Sequence, residues 1–167
     1  MHSTPIYKDI ILVGGGHSHV LVLRMWAMNP IPGVRITLVS NAVLSPYSGM
    51  LPGVIAGHYT LDHNHIDLVK LCRFAGARFI HGEVMGVDVE QQRIQLRDRP
   101  ALSFDYASIN TGAAPDQSVL GVKEFATPIK PIAQFTQRWQ ALLETFRTTK
   151  GEKHIAGLLY TSDAADD

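Results

Sequence analysis

The chain opens polar, and a continuous apolar run begins at its tenth residue. Lys8–Val13 reads KDIILV, a β-branched run of the kind a strand buried on both faces requires. Glycines 14–16 then turn the chain. Ser18–Met28, SHVLVLRMWAM, fits a helix, and Asn29-Pro30 with Pro32-Gly33 stops it. Val34–Val39, VRITLV, reads as a second strand. Strand, tight turn, helix and strand with a short return make a βαβ unit, which implies parallel strands and a right-handed crossover.

The pattern then loosens. Residues 40–65 form a long irregular stretch rich in Pro, Gly, Ser and Tyr, and loops of that length are usually functional or disordered. Its apolar content (GMLPGVIAG) argues for packing against something. Ile66–Ala75 has helical spacing with one broad apolar face, and Gly76 suits the helix end. Ala77–His81 reads as a third parallel strand. Glu83–Val89, Arg93–Leu96 and Leu102–Phe104 alternate in short segments, the mark of a small antiparallel meander inserted into the sheet. Tyr106–Asn110 returns as a strand ending at Thr111-Gly112. Ile132–Arg147 is the last clear helix, and His154–Ala156 starts another strand. The expected class is α/β, a Rossmann-like domain with a parallel sheet and an inserted meander.

Composition narrows the function classes. The 167 residues suffice for one ordinary domain with a core. Fifteen basic residues balance fifteen acidic ones, so charge supplies no reason to expect nucleic acid or an anionic membrane as main partner. One cysteine, Cys72, excludes a disulfide framework and a Cys-x-x-Cys pair and suits a reducing, cytoplasmic setting. The opening residues do not read as a signal peptide. The apolar runs fall far short of the roughly 20 residues that span a bilayer.

The glycine turn carries the candidate chemistry. Gly14 permits a tight turn off the first strand, and Gly16 lets a pyrophosphate approach the backbone. The following N–H groups and the helix N-terminus supply an anion site. Ser18 adds a hydroxyl or serves as N-cap. The third glycine of the dinucleotide fingerprint is replaced by His19. Either the helix stands off the strand or the imidazole turns away, and the expectation is that it turns away. At the end of the second strand, where an acidic residue usually binds ribose, stand Ser40 and Asn41, both able to hydrogen-bond a hydroxyl. A purely structural glycine-rich turn is the alternative.

Five histidines (His17, His19, His58, His63 and His65) raise a metal site. The i, i+2 spacings of His17/His19 and His63/His65 suit strands better than helices. No cysteine or clustered carboxylate accompanies them, so loop histidines near a polar ligand are preferred and no metal is expected. Gly-His-Ser-His lacks the Gly-x-Ser-x-Gly elbow of a nucleophilic serine. Cys72 reads as an inert core thiol. Met25, Trp26 and Trp139 read as packing residues.

GGGHSHV, ITLVS, SPYSGMLPGVIAGHY and INTGAAP together resemble the FAD domain of the pyridine nucleotide-disulfide oxidoreductase superfamily, in the branch like type II NADH dehydrogenases. GGGHSHVLVLRMWAM, PYSGMLPG and ATPIKPI further resemble the FAD-containing module often fused to selenide, water dikinase. The resemblance spans residues 8–156. It implies that Gly14, Gly16, His17 and Ser18 surround the FAD pyrophosphate and that Ser40 and Asn41 occupy the adenosine-ribose position. It places Ser48, Gly49, Met50 and Leu51 near the ribityl chain and flavin. Val84 would offer backbone groups to adenine, and Thr111-Gly112 would match the motif where the chain passes the FAD again. Lys130 would lie near the flavin, its alternative being a solvated loop lysine.

The resemblance also implies an activity. Without a redox cysteine pair, hydride would pass from NAD(P)H to the flavin and on to a separate small-molecule acceptor such as a quinone. No residue is assigned as a catalytic acid or base. Residues 1–150 are expected to be an incomplete FAD-binding domain, and 151–157 the start of a missing NAD(P)H-binding domain. The closing residues 158–167, LLYTSDAADD, look like a translated sequencing adaptor and are expected to be non-native, a natural C-terminus being the alternative. The piece alone is expected to be inactive. A non-catalytic nucleotide-binding module and a non-functional fragment are the competing readings.

Overall fold

A computed structural model describes residues 5–113 and 117–152. Its centre is a parallel sheet of four strands: β1 (Lys8–Val13), β2 (Val34–Ser40), β5 (Arg78–His81) and β9 (Tyr106–Ile109), ordered β5-β2-β1-β9. β1 pairs in register with β2 from Lys8↔Val34 to Val13↔Val39, and with β9 from Ile10↔Tyr106 to Val13↔Ile109. The first crossover is α1 (His17–Met28), one residue longer at its start than the sequence predicts.

Alternation along the strands divides the core into two layers. Leu12, Ile36 and Leu38 face α1 and α3 (Leu68–Ala75), packing with Val20, Leu23, Leu68, Cys72 and Ala75. Ile11, Val13 and Val39 face the other way and pack with Ile94. That residue belongs to a separate antiparallel sheet, β6 (Val84–Asp88), β7 (Arg93–Leu96) and β8 (Arg99–Ser103). The meander therefore lies across the second face of the parallel sheet and is not inserted between its strands. Leu23 and Leu38 are fully buried, and truncating either to Ala costs about 2–5 kcal/mol by the usual cavity cost.

Cys72 is buried on the inner face of α3, and burial pushes its thiol up to about 11, consistent with an unreactive core residue. Trp26 packs against the same cluster. Met25, expected to pack, instead lies 66% exposed on the outer side of α1. Trp139 stacks on the buried Phe135 in α5 (Ile132–Thr148), with ring centroids 6.2 Å apart.

The stretch predicted to be irregular is ordered by short elements. β3 (Leu44–Pro46) pairs antiparallel with β4 (His65–Asp67), and between them lie 3-10 turns at Ser48–Met50 and Leu61–Asn64 and the short α2 (Leu51–Ile55). Ile66 belongs to β4 and not to the following helix. The helix begins at Leu68 because the Asp67 carboxylate accepts the Lys70 N–H at 2.9 Å, an N-cap. A short α4 (Val122–Phe125) has no clear signal in the sequence. The strand start at His154–Ala156 and the tail 158–167 lie outside the described residues. Among the described residues, no helix is long and apolar enough to cross a membrane.

Candidate functional site

The glycine turn sits where β1 and β9 end. Gly14 has φ +94°, a left-handed backbone, and a β-carbon there would overlap the Asn110 carbonyl. A β-carbon on Gly16 would overlap the Asn110 side-chain amide. The chain just after β9 thus presses against the turn from one side. Gly14 N–H donates to the Val39 carbonyl at 2.7 Å and Asn110 N–H to the Val13 carbonyl at 2.8 Å, so both flanks continue the sheet. On the opposite side the Ser45 hydroxyl, from β3, donates to the Gly15 carbonyl at 2.6 Å.

The start of α1 is left open. Gly16 is the N-cap and offers no side-chain bond, so Ser18 does not cap the helix; it is the second helical residue and is exposed. The first-turn N–H groups carry the positive end of the helix dipole, equivalent to about half a charge. No acidic side chain occupies that first turn. His17, exposed, stacks on Tyr47 with centroids 4.9 Å apart. Tyr47 is held in turn by its N–H to the Asn64 carbonyl at 2.8 Å.

His19 overturns an expectation. The imidazole does not turn away; it is 2% exposed and points inward. Nδ1 lies 2.7 Å from the Gly14 carbonyl and Nε2 2.9 Å from the Ser108 hydroxyl on β9. A carbonyl only accepts, so Nδ1 carries the proton. Burial holds the ring's pKa below the ordinary histidine value, opposed in part by the bond to the Gly14 carbonyl. In the neutral ring that this environment favours, Nε2 accepts from the Ser108 hydroxyl. The i, i+2 pair His17/His19 lies on a helix, not a strand. Among the described residues, no three His, Cys, Asp or Glu side chains gather as a metal set.

The other candidate residues divide by position. Ser40 is buried, and its hydroxyl accepts the Ala42 N–H at 3.2 Å, while Asn41 is exposed with its carbonyl taken by His81 Nε2 at 3.0 Å. Asn41 is thus the freer side chain at the end of β2. Ser48 and Gly49 are exposed, Met50 is half-buried, and the Leu51 side chain is buried. Val84 starts β6 and packs against the cluster that holds Val39. Thr111 backs onto Gly14, and Gly112 is exposed with a left-handed backbone. Lys130 is exposed just before α5.

Sequence reasoning missed Asn110, Ser45, Tyr47 and Ser108. Asn110 is the most informative, because its buried Nδ2 has no hydrogen-bond partner among the described residues. A buried unsatisfied donor is costly and calls for an acceptor. A neutral donor beside a glycine cradle and an open helix start fits the pyrophosphate of a dinucleotide. The signal for it was present, since Asn110 ends a predicted strand that had to lie beside the turn.

No protein-family model matches the chain. It is 26% identical over 145 residues to the NADH dehydrogenase-like protein YutJ of Bacillus subtilis, covering 81% of this chain and 38% of that protein. Among solved structures it resembles the sulfide:quinone oxidoreductase of Aquifex aeolicus (TM-score 0.72, 20% identity, 85% of this chain and 33% of that one). It also resembles NDH2 of Plasmodium falciparum, solved with NADH (TM-score 0.63, 18% identity, 87% and 31%), and an NAD-dependent persulfide reductase of A. fulgidus (TM-score 0.66, 16% identity, 81% and 27%). At these identities the structural likeness shows the fold, an α/β domain of the Rossmann type. The chain spans well under half the length of each of these proteins.

Proposed function

We propose that this domain binds FAD, and that it is the FAD-binding part of an NAD(P)H-dependent flavoprotein oxidoreductase. The observation that carries the reading is the unpartnered Asn110 amide beside a glycine turn that tolerates no β-carbon. The names of the relatives support the redox half of the reading: NADH dehydrogenase-like, quinone-linked and NADH-bound.

The residues take these roles. Gly14 and Gly16 let the pyrophosphate lie against backbone, where the N–H groups opening α1 offset its charge. Asn110 Nδ2 donates to it. Ser18, exposed on the first turn, adds a hydroxyl, and His17, stacked on Tyr47, borders the phosphates. Asn41 faces the adenosine ribose and Val84 offers its backbone toward adenine. Residues 48–51, Thr111-Gly112 and Lys130 border the flavin half. FAD, when bound, supplies the two-electron chemistry that links a nicotinamide to an acceptor such as a quinone. The nicotinamide step is proposed for the whole protein, with residues 1–150 as its FAD-binding portion.

Purifying the chain with and without added FAD tests this. A yellow protein with a flavin absorbance spectrum and a melting temperature that rises with FAD concentration is expected. Binding of ADP or NAD with no retention of FAD would overturn it in favour of a non-flavin nucleotide module. Insoluble protein whatever the ligand would overturn it in favour of a non-functional piece.

A further inference from the structure

His19 stands where the dinucleotide fingerprint has its last glycine, and it is buried with both nitrogens engaged. Its bond to the Gly14 carbonyl has a consequence for the neighbouring peptide. In a trans peptide the C=O and the following N–H point in opposite directions across one plane. Fixing the Gly14 carbonyl toward His19 therefore turns the Gly15 N–H to the opposite side. The Ser45 hydroxyl does the same for the next plane, holding the Gly15 carbonyl and so setting the Gly16 N–H. Two successive peptide planes of the turn are pinned by side chains from α1 and β3.

We propose that His19 is a positioning residue. Its neutral, Nδ1-protonated ring relays from the Ser108 hydroxyl to the Gly14 carbonyl and so aims the turn's N–H groups at the bound pyrophosphate. The proposal rests on the dinucleotide reading above. The relay works only in one protonation state. In the imidazolium both nitrogens are donors, so Nε2 can no longer accept from Ser108, and a charge is placed in a buried site. The groups that face the ring are the Gly14 carbonyl from the turn and the Ser108 hydroxyl from β9. Among the described residues, no charged side chain contributes to the shift of its titration. His17, two residues away, lies on the exposed side of the helix and borders the proposed phosphate position. The pH series is therefore run in a His17→Asn background.

The experiment uses the full chain. Nitrogen-15 NMR of His19 at pH 7.5 is expected to show the neutral Nδ1–H tautomer. FAD affinity in the His17→Asn background is expected to fall as pH drops below the ordinary histidine range. His19→Leu is expected to lose about tenfold in FAD affinity while keeping its circular dichroism. His19→Asn, whose amide can replace Nδ1–H, is expected to recover most of that loss and flatten the pH profile. The Nε2–H tautomer, a protonated ring at pH 7.5, a pH-independent affinity, or a folded His19→Leu chain with unchanged affinity would each overturn the proposal. Should the wild-type chain retain no FAD at pH 8, the FAD reading falls and the relay is judged without ligand. It stands if the Gly15 amide shift titrates with His19, and fails if the two are independent. If His19→Leu does not fold, Ser108→Ala serves in its place, with the same affinity and pH readouts.

Discussion

The two ends of the parallel sheet handle polar groups in opposite ways. At the end where β1, β2 and β9 begin, charges are matched side chain to side chain. Lys8 pairs with Asp105 at 2.7 Å, and Arg35 grips Asp9 with two bonds at 2.6 and 2.8 Å. The Asp9 N–H also donates to Asp105 at 2.7 Å. At the other end, where the same strands stop, the groups are neutral: glycines, His19, Ser108 and Asn110. There one buried donor has no partner and a helix start carries no cap. A closed set of partners ties strands together. An open set with a shape no β-carbon can enter is what a ligand completes. The difference identifies the second end as the candidate site without appeal to any relative.

The contrast breaks most severely at Gly14. Gly14→Val places a β-branched residue at φ +94°, and its β-carbon overlaps the Asn110 carbonyl. Left-handed backbone at a non-glycine residue costs about 1–3 kcal/mol, and the clash with backbone adds to it. Loss of FAD retention and a melting temperature lowered by more than 5 °C are expected, the latter from about 2–4 °C per kcal/mol for a chain of this size and a cost of several kcal/mol once the clash is added. A variant that still bound FAD would show that the turn is not the site.

Asn110→Leu separates the two roles that the end of β9 could have. Removing a buried unpartnered donor should leave the ligand-free chain as stable as before or slightly more so. FAD affinity should fall about tenfold, the worth of a hydrogen bond to a charged group. Thermal melts without ligand and FAD titrations thus move in different directions. Parallel losses in both would mean that Asn110 is structural.

Much of this layout is readable along the chain, for a physical reason. β1, β2 and the first turn are sequential, and buried parallel strands have a continuous apolar pattern that no solvent-facing element shares. The start of α1 and the Thr111-Gly112 corner follow from the same logic. Residues 40–67 are not readable, because short elements such as β3 and α2 are held by distant backbone bonds, Tyr47 N–H to Asn64 and Leu68 N–H to Val43. His19 misleads for a similar reason. Its hydroxyl partner lies 89 residues further on, and nothing local says that the ring has a polar seat inside the fold. The fingerprint identifies the turn, but the side chains that set its peptide planes come from α1 and β3, and only the folded arrangement brings them together.

The smallest effect should come from the closed end. Arg35→Met keeps the aliphatic stem and removes the fork that grips Asp9. The pair is partly exposed, its side chains 41% and 29% accessible, so water and salt screen it. The bond to Asp9 raises the guanidinium pKa further, so Arg35 is charged throughout the working range and the loss shows no pH dependence of its own. A cost of no more than about 1 kcal/mol is expected, shrinking as salt is raised, with FAD affinity unchanged because β2 begins at the opposite end of the sheet from the turn. Lys8 and Asp105 supply the pH dependence of this end. Hydrogen bonding to Lys8 holds the Asp105 carboxyl below the usual carboxylate range, so its contribution is present above the unfolded value near 4 and is lost as pH falls through the lower folded one. Denaturant melts of Arg35→Met at low and high salt, beside FAD titrations, check the assignment. If FAD affinity fell as steeply as with Asn110→Leu, the two ends would be coupled through β1 and β2, and the division of labour drawn between them would fail.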